Sequence, residues 1–87
     1  MAEQDKRRLF LIETAEEPDA LLRVLSLCAA HQVSLASVDF TDGPGGGKVR
    51  IETRLGDEEA VRLGVQLRSI PSVRAVSVGW RAVGPRL

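Results

Sequence analysis

Few side chains in this chain are of a type that could do covalent or metal chemistry. Cys28 is the single cysteine and His31 the single histidine. Cys28 falls at helical spacing with Leu21, Val24 and Leu25, the pattern of a small buried hydrophobe rather than a nucleophile. With no second cysteine there is no Cys-x-x-Cys metal motif. His31 closes the same helical run, where an imidazolium gains from the helix dipole, and no Ser or Asp is spaced to build a triad with it. Carboxylates gather twice, as Glu16, Glu17 and Asp19 and as Asp57, Glu58 and Glu59. Both groups precede a helical run, where acidic residues are expected as helix-start caps rather than as metal ligands. The glycine-rich run from Gly43 to Gly47 is followed by a strand pattern, whereas a phosphate cradle needs a helix start after it. It therefore reads as a hairpin connection.

The elements that hold these residues repeat. Leu11-Ile12-Glu13-Thr14, an acidic turn and the run Ala20 to Leu25 are echoed by Arg50-Ile51-Glu52-Thr53, Gly56 to Glu59 and the run Ala60 to Leu63. Strands are expected over residues 8–14, 35–41, 48–55 and 73–80. The first helix follows Pro18, which suits a first turn, and fades near His31-Gln32. The second follows Asp57 as its cap and ends at Pro71. Ala36, Val38 and Phe40 form the buried face of the second strand. Val49, Ile51, Thr53 and Leu55 share one face of the third. Gly64, inside the second helix, points to a close approach between elements.

The βαββαβ order with right-handed crossovers gives an α+β, ferredoxin-like fold. Its sheet has four antiparallel strands in the order 4-1-3-2, with two helices on one face. Residues 1–7 are expected to be a disordered N-terminus, 8–80 the single domain and 81–87 a loose tail. The first strand is apolar at every position from Leu9 to Ile12, so one apolar pair lacks helical cover. Leu9, Phe10, Leu11 and Ile12 are therefore the expected oligomer interface, and the chain is expected to dimerise or assemble further.

At 87 residues the chain is one small domain, and a partner surface would add to its stability. Formal charge is zero and no basic stripe is present, which argues against nucleic acid. The third strand offers Lys48, Arg50, Glu52 and Arg54, with no ring on which a base could stack. A lone cysteine fits a reducing, cytoplasmic setting. No apolar run approaches a membrane span, so no membrane partner is expected. Acyl-phosphate hydrolysis on this fold would need an anion cradle after the first strand, and the turn there is acidic.

The run from Leu11 to Leu25 and the segment His31-Gln32-Val33-Ser34-Leu35-Ala36-Ser37-Val38 resemble an ACT domain. Pro18, Leu21, Val24 and Leu35 match its pattern, and Leu67 to Val76 is similar to its closing stretch. Within that family the Pro-x-x-Leu-x-Arg-Val-Leu run looks most like the small regulatory subunit of an acetolactate synthase. The resemblance implies a non-catalytic subunit that binds and activates a large catalytic subunit in branched-chain amino-acid biosynthesis. It implies no cofactor of the chain's own, thiamine diphosphate belonging to that partner. The alternative it implies is a stand-alone sensor with an amino acid at a dimer interface. Either way the ligand-binding positions would be Pro18, Asp19, Ala20 and Leu21 before and in the first helix, and Ser34 and Leu35 at the second strand, with a branched-chain amino acid as ligand. Asp19 replaces the family's turn glycine and Ser34 its asparagine. Negative charge at Asp19 is expected to repel a ligand carboxylate, which favours an activator without feedback sensing.

Overall fold

The structure, a computed structural model, describes residues 6–82, with side chains described for 7–79. Its elements are β1 (Lys6–Thr14), α1 (Ala20–Ala30), β2 (Leu35–Gly43), β3 (Gly46–Thr53), α2 (Asp57–Arg68) and β4 (Val73–Ala82). The strands form one sheet in the order β2-β3-β1-β4, with every pairing antiparallel. This is the expected ferredoxin-like topology read from the other edge. Lys6 and Arg7 pair with Ala82 and Arg81, so the sheet runs past residues 8 and 80 at both ends. The remainder of the two expected tails, residues 1–5 and 83–87, lies outside the described residues.

Period two decides which side chains meet the helices. Phe10 and Ile12 on β1, Val49 and Ile51 on β3, and Val76 on β4 lie on one sheet face. They form one core with Val24 and Cys28 of α1 and with Ala60, Leu63 and Leu67 of α2. Phe10 and Ile12 are fully covered within a single chain. That corrects the expected interface: both belong to the chain's own core because their face is the one the helices pack on. Leu9 and Leu11 face the other way, and Leu11 stays 47% exposed.

A second correction concerns β2. The register with β3 slips between Leu35 and Ser37, leaving Ala36 as the extra residue of a bulge. Leu35, Val38 and Phe40 therefore share the helical side, yet all three remain more than a third exposed. β2 is an edge strand, and it contributes no residue to the buried core. Just past the same end of β3, Leu55 lies beyond the strand and packs against the core from the loop.

The hairpin between β2 and β3 is tight. Gly43 pairs with Gly46 across Pro44-Gly45, and Gly45 has φ 87°, as the third residue of a type II turn requires. Arg74 Nη1 donates to Gly45 O at 2.8 Å and holds the tip. A Cβ on Gly46 would lie 2.1 Å from Thr14 O, and one on Gly47 would lie 2.7 Å from the Phe40 ring. The glycines thus let the hairpin close over the end of β1, with the Phe40 ring lying over Gly47. Gly64 does sit where α2 meets β4, but an added methyl would be at 3.6 Å from Val78, an ordinary contact.

Candidate functional site

The turn between β1 and α1 is built on backbone bonds. Ala15 N donates to Ser72 O at 2.7 Å, tying the turn to the loop before β4. Glu17 N donates to Ala15 O, and Ala20 N to Glu17 O. Pro18 and Asp19 precede the helix instead of opening it, with Asp19 at the cap position. Asp19 makes no side-chain capping bond, and α1 has no acidic residue in its first turn. The Asp19 carboxylate instead accepts from Arg23 Nε at 2.9 Å, an i,i+4 pair. Glu16 and Glu17 therefore stand outside the helix, contrary to the capping role expected of them. Ala20 is buried and Leu21 packs on the core, so of the four turn positions Pro18 and Asp19 are the more open.

At the other end of α1, Val33 N donates to Cys28 O and Gln32 N to Ala29 O, the two bonds of a Schellman cap. The residue that turns left-handed is Gln32, at φ 57°, a position that glycine fills at no steric cost. Ser34 and Leu35 follow, both exposed.

The two halves of the site implied by the resemblance thus lie at opposite ends of α1. Its 11 residues separate them by about 16 Å at 1.5 Å per residue. A single chain does not bring Pro18 and Asp19 to Ser34 and Leu35. The unpaired edge of β2 starts at the second half and ends beside the first, since Gly43 pairs with Gly46 next to the Thr14 end of β1.

The remaining polar groups are placed as follows. Burial pushes the Cys28 thiol pKa up, away from thiolate chemistry. His31 is exposed at the cap of α1. Arg8 is 6% exposed, donating to Leu55 O at 2.9 Å and pairing with Asp57 at the start of α2. Glu52, nearly buried, takes Arg7 and Arg50 on the helix-free face. Among the described residues no group of three His, Cys, Asp or Glu is placed to hold a metal ion. No helix among them is long and apolar enough to cross a membrane. Sequence reading missed the Asp19–Arg23 pair, although i,i+4 spacing advertises it, and the strained Gln32, which follows the helix end directly.

No family profile and no curated protein sequence matches the chain. Solved structures do. The ACT domain of the GTP pyrophosphokinase of Chlorobium tepidum aligns with a TM-score of 0.76 at 9% identity, over 85% of this chain and 86% of that one. The C-terminal domain of the MgtC protein of Mycobacterium tuberculosis aligns at 0.72 and 14% identity, over 94% of each chain. The regulatory subunit of aspartate kinase from Thermus thermophilus aligns at 0.66 and 13% identity, over 87% of this chain and 51% of that one. The chain has the fold of ACT domains. Identities this low carry the fold and nothing finer.

Proposed function

We propose that this chain is a non-catalytic regulatory subunit of the ACT type, that it pairs with a second copy through β2, and that the pair binds and activates an acetolactate synthase-type catalytic subunit in branched-chain amino-acid biosynthesis. Thiamine diphosphate is held by that catalytic partner and not by this chain. The observation that carries the reading is the separation of the two half-sites. Two β2 edges paired antiparallel about a two-fold axis would put the partner's Leu35 beside Gly43. That is the sheet end at which Pro18 and Asp19 stand. Edge pairing would also cover the exposed row of Leu35, Val38 and Phe40 and satisfy an open strand edge. The helix-free face is less suited to self-association: around Leu11 stand Glu13, Asp39, Lys48 and Arg50.

Light scattering on the wild type is expected to give a dimer, and Val38→Lys a monomer with unchanged circular dichroism. Co-expression with a thiamine-dependent synthase is expected to give a co-purifying complex with raised turnover. A chain that neither co-purifies nor alters turnover would rule out the activator reading.

One observation favours the stand-alone sensor as second reading. The Asp19 carboxylate is taken up by Arg23, which offsets the repulsion expected of it toward a ligand carboxylate. The sensor reading predicts that valine, leucine or isoleucine raises thermal stability as RT ln(1 + [L]/Kd). The pure activator predicts no such shift.

A further inference from the structure

We infer that the cavity between the C-terminal end of α1 and the β3–α2 connection is a binding site within one chain for a small carboxylate bearing a short apolar body. The cavity, about 300 Å³, is lined by Val33, Leu55 and Leu63 and by Ser34, Arg54 and Arg62, with His31, Gln32 and Glu59 completing its wall. What singles it out is how the arginines are used. Arg7, Arg8, Arg23 and Arg50 each pair with a carboxylate, and Arg68 and Arg74 each donate to a backbone carbonyl. Arg54 and Arg62, alone among the arginines whose side chains are described, have no hydrogen-bond or ion-pair partner among the described residues, and both line this one cavity.

The arrangement matches the stated ligand chemistry. Guanidinium groups present planar forks of donors that fit a carboxylate. Leu63 is buried and Val33 and Leu55 are half-buried, giving an apolar wall beside the two charges. Binding pockets of this size combine such an apolar lining with a few polar groups that fix orientation. Glu59, also in the wall, forms no ion pair with either arginine; its Oε1 accepts from Gly56 N at 3.4 Å, and with two guanidinium groups against one carboxylate the lining keeps a net positive charge. The site is separate from the inter-chain one proposed above and does not depend on it. Ser34 alone is common to both.

The test is an NMR titration of the isotope-labelled full chain at low ionic strength with isovalerate, acetate and inorganic phosphate. Isovalerate is expected to shift the amides of residues 32–34, 54–56 and 62–63 in a saturable way, at least tenfold more tightly than acetate. In the double variant Arg54→Gln, Arg62→Gln, both at exposed positions, affinity is expected to drop at least tenfold while the remaining spectrum is retained. Failure of isovalerate to shift these amides, equal affinity for isovalerate, acetate and phosphate, or unchanged affinity in the double variant would each overturn the assignment. None of these outcomes bears on dimerisation or on the catalytic partner.

Discussion

Both helices follow a run of acidic residues, yet only α2 draws those acids into its own first turn. Asp57, Glu58 and Glu59 are all in that turn, Glu59 reaches back to Gly56 N, and Asp57 takes the buried Arg8. The start of α1 leaves Glu16 and Glu17 outside the helix and commits Asp19 sideways to Arg23. The ends differ too. α1 closes on a left-handed Gln32, while α2 stops at Ser69 ahead of Pro71. β2 gives nothing to the core, whereas Val76 of β4 is part of it. Two strand–helix–strand units with similar sequence signals are therefore fastened differently. The second is built for stability. The first leaves its turn and its edge strand open, and the turn and the start of that strand are where the resemblance places a ligand.

The largest effect is expected where the two units join. Gly46→Ala forces a Cβ against the Thr14 carbonyl at φ 137°, and urea titration should show a loss of about 3 kcal/mol, the upper end of the range for a strained residue. If that variant is as stable as the wild type, the hairpin is looser than described and the units are less tightly joined.

The helix starts separate next. Asp57→Asn is expected to cost about 1–2 kcal/mol, because it weakens the first turn of α2 and removes the charge paired with buried Arg8. Asp19→Asn, which breaks an exposed i,i+4 pair, should cost under about 0.5 kcal/mol. Equal losses in the two variants would abolish the contrast. Two stabilising changes then sharpen it, one in each unit. Gln32→Gly relieves the left-handed residue of α1, and Gly64→Ala adds a methyl that α2 has room for. Each should raise stability by up to about 1 kcal/mol, read from the urea midpoint.

The smallest effect is set by pH. The Cys28 thiol is pushed above its ordinary value of 9.0 by desolvation. Above that value the unfolded chain gives up the proton and the folded chain keeps it. This contribution is therefore complete below about pH 9 and is lost as pH rises through the folded pKa. Urea midpoints compared between about pH 8 and about pH 10 should fall less in Cys28→Ala than in the wild type.

The fold was legible because period two and period 3.6 were both clean. Val49 and Ile51 against Lys48 and Arg50, and the stripe of Val24 and Cys28, each declared their inner faces. What was not legible depended on neighbours. Leu9 to Ile12 is apolar throughout, so no periodicity says which pair the helices take. The bulge at Ala36 rotates Leu35 onto the side of Val38 and Phe40, and no residue at that position announces it. Acidic runs before a helix look alike whether or not they cap it, since the difference is one of backbone angle at Asp19 and Gly56. The separation of the two half-sites needed the topology, because α1 carries Pro18 and Ser34 to opposite ends.

The central claim is that β2 meets β2 of a second copy. An isotope-filtered NOE spectrum of a mixed sample, half labelled and half unlabelled, tests it directly. Cross-peaks between chains among Leu35, Val38 and Phe40, with the Leu35 end of one strand near the Gly43 end of the other, are the predicted result. Cross-peaks between chains from Leu11, Lys48 and Ala75 on the helix-free face, with none from β2, would contradict it.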